Sequence, residues 1–243
     1  MAIYDLLAPH YDAVTGDSST ETAFIDGAIK DACPRAVTLL EVACGTGEII
    51  ASLASRYQVS GLDISSGMLA VARKKLPAGI PLYAADMSDF KLDMKFDAVI
   101  CVYHGVNHLL DFSAWESFFD CAYGHLNDGG VFAFDTYAVS SLELMASGPE
   151  IVQEFGQNYL NIRVRANDEA VYDWNIEVRE LQPDGSYKSF TEVIRIAAFP
   201  PEKILTALSA RFANIRITES YGAADDDSGH RIWFTCTRAA SSG

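Results

Sequence analysis

A glycine-rich turn and two carboxylates beyond it have the residue types and spacing of a nucleoside-binding crevice. Gly45 and Gly47 follow an apolar run at residues 37–43 and precede a helical pattern. Because glycine has no Cβ, the backbone there can turn tightly and let a ligand approach the N–H groups at the start of the helix. Asp63 and Asp86 stand at the ends of the next two apolar runs, where carboxylates can accept ribose hydroxyls and an adenine amine.

A dinucleotide such as NAD is the alternative ligand for this crevice. A dinucleotide site needs a third small residue in the pattern GxGxxG or GxGxxA, where the helix packs beneath a pyrophosphate. Here the run GTGEII at residues 45–50 places Ile50 at that position and Glu48 beside the phosphates, which disfavours NAD. A cationic ligand without phosphate groups, such as a sulfonium, fits a turn that Glu41 and Glu48 make acidic.

Alternating strand and helix patterns must position these residues. Nearly continuous apolar runs separated by helical segments favour a parallel sheet covered on both faces. The first predicted strands are residues 37–43, 59–62, 80–84, 96–102 and 131–134, and the predicted helices among them are residues 20–32, 48–56, a segment capped by Ser65 or Ser66, and 115–126. The run NDGG at residues 127–130 is predicted to terminate the last of these helices.

The pattern changes after about residue 150. Residues 159–165, 170–180 and 187–197 alternate between apolar and polar side chains, and Pro183-Asp-Gly185 predicts a hairpin turn between two of these strands. A helix over residues 200–211 and strands at 215–219 and 232–237 complete the chain. The polar connection between the last two strands contains no helical pattern, so we expect them to be antiparallel neighbours.

Composition limits the classes of partner. The 243 residues carry a net charge of −15 and no basic run, which disfavours a nucleic-acid partner and suits a neutral or cationic small molecule. No window approaches 18 apolar residues, so we expect no membrane span. The five cysteines are scattered and form no CxxC pair, so the sequence predicts neither disulfide bonds nor a zinc site. Cysteines without disulfide bonds are typical of a reducing compartment, which favours the cytoplasm. The histidines lack metal-binding spacing, so no metal is expected.

Five segments together resemble the class I S-adenosylmethionine-dependent methyltransferases. They are LLEVACGTG at 39–47, GLDIS at 61–65, ADMSDF at 85–90, FDAVI at 96–100 and LNDGGVF at 126–132. Within that family the chain is most similar in style to enzymes that N-methylate amino sugars. The run VNHL at 106–109 contributes to that finer resemblance.

The resemblance implies a fold and a cofactor. We expect one domain over residues 1–243, an α/β Rossmann-like fold whose seven-stranded, mostly parallel sheet has helices on both faces and an antiparallel last strand. A small antiparallel β insertion after strand five, at residues 150–199, is expected to cover the active-site end. The implied cofactor is S-adenosyl-L-methionine, and the residues expected to bind it are Tyr4, Tyr11, Glu41, Ala43, Gly45, Gly47, Asp63, Ile64, Met68, Asp86, Met87, Val102 and Tyr103.

The candidate catalytic residues are His108, His104 and Tyr11. Both histidines follow the fourth predicted strand, and imidazole titrates near neutral pH, so either can act as a base or orient an acceptor. His108 is favoured because the sugar N-methyltransferases that the chain resembles have a histidine there. Structural roles remain open for both histidines, and Tyr4 and Tyr11 form either an aromatic lid or ordinary packing.

These observations predict methyl transfer to a nitrogen or oxygen of a small-molecule acceptor by a monomer or homodimer. A neutral amine needs no base to attack, whereas a hydroxyl usually does. Two other functions stay open. One is a non-catalytic S-adenosylmethionine-binding sensor or partner subunit, and the other, less favoured, is an NAD-linked oxidoreductase.

Overall fold

The computed structural model describes residue 4 and residues 7–168, 170–219 and 231–240. Two sheets and the surrounding helices make up this part of the chain. The strands of the larger sheet are β1 (Thr38–Val42), β2 (Gln58–Asp63), β3 (Leu82–Ala84), β4 (Phe96–Cys101), β5 (Leu126–Tyr137), β10 (Ala213–Glu219) and β11 (Arg231–Thr237). The smaller sheet contains β6 (Ile151–Phe155), β7 (Asn158–Asp168), β8 (Val171–Leu181) and β9 (Tyr187–Ala197).

Seven helices and one 3₁₀ turn connect the strands within the described residues. The helices are α1 (Tyr11–Thr15), α2 (Ser19–Ala32), α3 (Glu48–Leu53), α4 (Ser66–Lys75), α5 (Phe112–Gly124), α6 (Val139–Ser147) and α7 (Pro201–Ser209), and the 3₁₀ turn is Gly105–His108. Ser65 caps α4 by accepting a hydrogen bond from the Met68 N–H at 3.1 Å, as predicted. In the described residues no helix is both long and apolar enough to cross a membrane.

The larger sheet confirms the predicted fold class. Its strand order is β10-β11-β5-β4-β1-β2-β3, and β11 runs antiparallel to both of its neighbours while the central pairs are parallel. Side chains of α2, α3 and α4 pack on one face, and side chains of α5 and α7 pack on the other. Because both faces are covered, the central strands are almost wholly apolar, and the polar groups at their carboxyl ends have one crevice in common.

The smaller sheet is a series of antiparallel hairpins between β5 and α7 in the chain. Its order is β6-β7-β8-β9, and the turn at residues 183–185 joins β8 to β9 as predicted. The inward side chains pack with Leu7, Tyr137 and residues of α6 in a third apolar cluster. This packing brings the smaller sheet against Leu7 and the end of β5.

Several local predictions were wrong or missing. Residues 127–130 do not terminate a helix, because α5 already ends at Gly124 and those residues belong to β5. A shift in the β4–β5 register between Phe96 and Ala98 accommodates them, with Gly129 at φ 76°. Helix α1, helix α6, the 3₁₀ turn and strand β6 were not predicted. Strand β6 is almost fully exposed, so its sequence carries no alternation of apolar and polar residues.

Candidate active site

A cavity lies along the carboxyl ends of four neighbouring strands, β4, β1, β2 and β3. It contains almost all of the predicted site residues, and those that line it are Tyr4, Tyr11, Glu41, Ala43, Gly45, Asp63, Ile64, Met68, Asp86, Met87, Val102, Tyr103 and His108. Gly47 and His104 are absent from the lining. The cavity therefore lies at the carboxyl ends of the strands, as expected from the sequence, but Gly47 and His104 do not line it.

Asp63 joins the two loops that form the cavity floor. One carboxylate oxygen accepts the Gly45 N–H at 2.8 Å, and the other accepts the Ser65 N–H at 2.8 Å. The side chain is buried, and burial raises the pKa of its carboxyl group, although the backbone hydrogen bonds oppose that rise. Each carboxylate oxygen has a further lone pair, so the group can hold the loops and accept ligand hydroxyls together.

Asp86 and Ile64 form the rim of the cavity at its β3 end. Asp86 lies just beyond β3, and one of its oxygens accepts the Ser88 N–H at 2.8 Å and the Ser88 hydroxyl at 2.7 Å. Ile64 is 60% exposed although it is a large aliphatic residue, and it lines the cavity together with Met87. An exposed apolar group beside an oriented acceptor is suited to a flat heteroaromatic ring that carries an amine.

Glu41 places a buried acid at the centre of the cavity. Its side chain is 3% exposed, and within the described residues its Oε2 has no hydrogen-bond partner. Burial raises the pKa of this carboxyl group well above its usual value, and the nearby charge of Asp63 adds to the rise, while a backbone hydrogen bond from Ile50 opposes it. A buried acid with a free oxygen that lines a cavity is a site for a cationic or N–H-bearing ligand group.

Glu48 does not serve the cavity as a free charge. Lys75 pairs with Glu48 at 2.8 Å and also with Asp12, and Asp12 accepts the hydroxyl of Thr46. This network ties α1 to α4 and to the glycine turn. The negative charge that the sequence assigned to ligand electrostatics is therefore balanced by a lysine.

His108 and Tyr4 meet at the β4 end of the cavity. The Tyr4 hydroxyl lies 3.4 Å from His108 Nε2, and the two rings are perpendicular with centroids 5.3 Å apart. Burial lowers the pKa of His108 to about 4, and the Arg195 backbone offsets part of that effect, so the ring is neutral at pH 7. Tyr11 packs edge-on against Tyr4 at 5.8 Å, and burial raises the pKa of Tyr11 to about 12. These aromatic groups enclose a neutral imidazole.

Gly47 and His104 pack against other parts of the protein and do not line the cavity. A Cβ on Gly47 would stand 2.9 Å from Leu76 Cδ1, so the missing side chain lets the turn pack on the end of α4. His104 is buried and stacks flat on Tyr137 with ring centroids 3.6 Å apart. Its backbone N–H donates to Asp135 at 3.1 Å, and burial lowers the pKa of its imidazole well below the usual value. His104 is turned into the core behind the cavity.

Glu192 is a contributor that the sequence analysis missed. Its Oε1 accepts the Tyr4 N–H at 2.8 Å and so holds Tyr4 against β9. A signal was present, because Glu192 occupies an inward position of β9 in line with the buried Ile194 and Ile196. An acid at an apolar position of an alternating strand needs a buried donor.

Comparisons with known proteins find methyltransferases among the proteins that this chain resembles. Residues 39–130 match a sequence family described as methyltransferase domain. The chain is 26% identical to dTDP-3-amino-3,4,6-trideoxy-alpha-D-glucopyranose N,N-dimethyltransferase of Streptomyces venezuelae, over 88% of this chain and 89% of that protein. It is 37% identical to dTDP-3-amino-3,6-dideoxy-alpha-D-glucopyranose N,N-dimethyltransferase of Streptomyces fradiae, over 44% of this chain and 41% of that protein.

A solved structure extends the likeness to the whole fold. The sugar N-methyltransferase KedS8 from Streptoalloteichus sp ATCC 53650 superimposes with a TM-score of 0.81 and 27% identity, covering 98% of this chain and 93% of that one. The chain is therefore similar to a methyltransferase domain over residues 39–130, which is less than half of its length. Over most of its length it is similar to a dTDP-amino-sugar N,N-dimethyltransferase and to a sugar N-methyltransferase.

Proposed function

We propose that this protein transfers methyl groups from S-adenosylmethionine to the amino nitrogen of a small-molecule acceptor, an amino sugar carried on a nucleotide. The main support is the similarity to a dTDP-amino-sugar N,N-dimethyltransferase over 88% of the chain. The cavity supports the same proposal, because one end has carboxylates and apolar side chains suited to a nucleoside, and the other end has a neutral imidazole and a phenol.

The cofactor would lie across the strand ends. Asp63 would accept the ribose hydroxyls, and Asp86 would accept the adenine amine while Ile64 packs on the ring. Among the described residues, Glu41 Oε2 has no hydrogen-bond partner and the space beside Gly45 is open, which fits a ligand with a cationic group and an extended chain. The same assignment extends to Ala43, Met68, Met87, Val102, Tyr103, Tyr4 and Tyr11, which line the remaining wall. Gly47 would act indirectly, by shaping the turn.

The protein's part in the reaction is chiefly alignment. When bound, S-adenosylmethionine supplies an activated methyl group, so the acceptor nitrogen must be held in line with it. Correct placement of two reactants is worth about 7–11 kcal/mol of a barrier. Tyr4, Tyr11 and His108 enclose the β4 end of the cavity, where they would exclude water and hold the acceptor.

His108 would orient the amine and would not store its proton. With a pKa of about 4, its ring is neutral at pH 7 and can accept one N–H of the amine, which directs the nitrogen lone pair towards the methyl group. The methylated product is an ammonium ion, and its surplus proton passes to water on release. Because a neutral amine attacks without a base, a weakly basic His108 suits nitrogen better than oxygen as the acceptor atom.

A direct assay tests this proposal. Purified protein is incubated with methyl-labelled S-adenosylmethionine and a dTDP-linked 3-amino sugar, the matched 3-hydroxy sugar and the free amino sugar. We expect one and then two methyl groups on the amino compound, detected by mass spectrometry, and none on the hydroxy compound. His108→Gln retains polarity and should lower kcat by about tenfold or more while the affinity for S-adenosylhomocysteine changes little.

Three outcomes would contradict different parts of this proposal. Methylation of the hydroxy sugar alone would replace nitrogen with oxygen as the acceptor atom. Tight S-adenosylhomocysteine binding without transfer to a broad panel of amines and alcohols would favour a non-catalytic binding protein. Unchanged kcat in His108→Gln would remove the proposed role of that residue.

A further inference from the structure

The residue next to His108 is an asparagine whose side chain is wholly buried. Asn107 is 0% exposed and belongs to the 3₁₀ turn Gly105–His108. Its amide nitrogen donates to the Thr136 hydroxyl at 3.0 Å and to the Ala197 carbonyl at 2.6 Å, and its amide oxygen accepts the Tyr137 N–H at 3.3 Å. Both amide protons and the oxygen are therefore used, which is the full donor capacity of this side chain.

These three bonds join elements that are remote in the chain. Thr136 and Tyr137 end β5 of the larger sheet, and Ala197 ends β9 of the smaller sheet. Asn107 thus fastens the turn to both sheets at once. No other polar side chain of the described 3₁₀ turn reaches β5 and β9 together, since Gly105 and Val106 have none and His108 faces the cavity.

Strand β9 also holds the partner of His108. Glu192, on the same strand as Ala197, accepts the Tyr4 N–H at 2.8 Å, and the Tyr4 hydroxyl lies 3.4 Å from His108 Nε2. These hydrogen bonds, which we call the circuit, run from Asn107 to β9, from β9 to Tyr4 and from Tyr4 to His108. The circuit is closed because Asn107 and His108 are adjacent in the chain. Strand β9 therefore holds His108 in two ways, through the neighbouring Asn107 on the backbone side and through Tyr4 at the ring.

From this circuit we infer that Asn107 is a positioning residue, which sets the place of the His108 ring in the cavity and keeps it neutral. The inference rests on the proposed function only where it concerns turnover. An amide is required at this position, because an aspartate would place a carboxylate against the Ala197 carbonyl and an alanine would remove the hydrogen bonds that join Asn107 to both sheets. A shifted ring would be better hydrated, which favours its protonated form.

The test is an NMR titration of the histidine rings in the full chain. The chain has five histidines, and the His108 signal is identified by its loss in His108→Ala. In Asn107→Ala the pKa of His108 should rise from about 4 towards the ordinary value of about 6.5. Thr136→Val removes one of the two acceptors and retains the shape, so it should give a smaller rise in the same direction.

A matched control is Asn127→Ala. Asn127 also donates its amide to another strand, to Asp97 at 2.8 Å, but at the opposite end of the sheet. This control should lose stability without changing the pKa of His108. With an acceptor that is turned over, Asn107→Ala should lower kcat by about tenfold to a hundredfold. Its affinity for S-adenosylhomocysteine should fall much less than kcat does, because Asp63 and Gly45 lie outside the circuit and Tyr4 is the proposed cofactor contact within it.

The outcomes separate the two proposals. An unchanged His108 pKa in folded Asn107→Ala would overturn the positioning role, and if that variant does not fold, an unchanged pKa in Thr136→Val would do the same. A raised pKa with unchanged turnover would support the positioning role and remove His108 from the reaction.

Discussion

The Gly45 N–H donates to the Asp63 carboxylate at 2.8 Å, so the glycine turn after β1 and the end of β2 are joined by one buried hydrogen bond. The other oxygen of Asp63 accepts the Ser65 N–H and thereby orders the start of α4. Asp63 consequently has one role that the structure shows, in joining the loops, and a second that we propose, in binding the ligand. It shapes the cavity before any ligand arrives, and it has lone pairs left with which to accept ligand hydroxyls.

The substitution Asp63→Asn separates these functions. An amide can still accept one backbone N–H, but its NH₂ group cannot accept the other and meets a donor, so both the loops and the ligand lose a partner. We expect cofactor affinity to fall by about 1–3 kcal/mol, measured by calorimetry with S-adenosylhomocysteine. Asp86→Asn, at the exposed rim, is the matched control and should lose less affinity and almost no thermal stability. Equal losses in both variants would contradict the double role.

Alanine substitutions at the two glycines of the turn should affect different properties, one the stability and the other the cofactor affinity. A methyl group on Gly45 would meet no atom of the described part of the chain within 4 Å, whereas one on Gly47 would stand 2.9 Å from Leu76 Cδ1. Both have positive φ, at 52° and 76°, so each alanine carries a similar backbone cost of about 1 kcal/mol. We expect Gly47→Ala to lower the thermal midpoint more, and Gly45→Ala to lower cofactor affinity more. Calorimetric scanning and titration of the pair would show whether the order is reversed.

Glu41 presents a conflict between stability and binding. Its carboxylate is buried, its pKa is raised, and its Oε2 has no partner among the described residues. In Glu41→Gln, the ligand-free protein should unfold at a higher temperature at pH 8, because no charge is buried, while cofactor affinity falls about tenfold. Glu48→Gln is the control, since Glu48 pairs with Lys75 on a more exposed surface. A lower thermal midpoint in Glu41→Gln would count against this account.

The residues at the β2 and β3 ends of the cavity, where we propose that the cofactor binds, could be placed from the sequence because their spacing is local. Asp63 ends β2 and Asp86 follows β3, and parallel strands bring their carboxyl ends to one edge of a sheet. Ser65 was predictable as a cap because its hydroxyl serves an N–H only three residues further on. Such contacts depend on the chain's immediate neighbourhood, which the sequence displays directly.

The end of the cavity that we propose holds the acceptor was less predictable, because its contacts join residues that are remote in the chain. Glu192 meets Tyr4 across 188 residues, and Asn107 meets Ala197 across 90. No periodicity relates such partners. His104 and His108 also have the same chemistry and nearly the same place in the chain, and the left-handed backbone of His104, at φ 60°, sends one ring into the core and leaves the other at the cavity. Such a choice is made by tertiary packing.

The depressed pKa of His108 should make the protein's stability depend on pH in a defined direction. The folded ring has a pKa of about 4, while an unfolded histidine titrates near 6.5. Between these values the unfolded chain takes up a proton that the folded protein does not, so the free energy of unfolding falls as the pH falls through that window. Burial raises the pKa of Asp135 to about 6, which acts in the opposite direction below that pH. The pH dependence of the free energy of unfolding therefore combines two contributions of opposite sign.

A comparison of variants isolates the contribution of His108. The free energy of unfolding is measured with urea at pH 7.5, 6.5, 5.5 and 5.0 for the wild type, His108→Ala and the non-titrating control Asn127→Ala. From pH 7.5 to 5.0 the wild type should lose about 1–2 kcal/mol more than His108→Ala, while Asn127→Ala should follow the wild type with a constant offset. Parallel curves for His108→Ala and the wild type would mean that the ring is hydrated and titrates normally. Its assignment as a neutral orienting group would then be wrong.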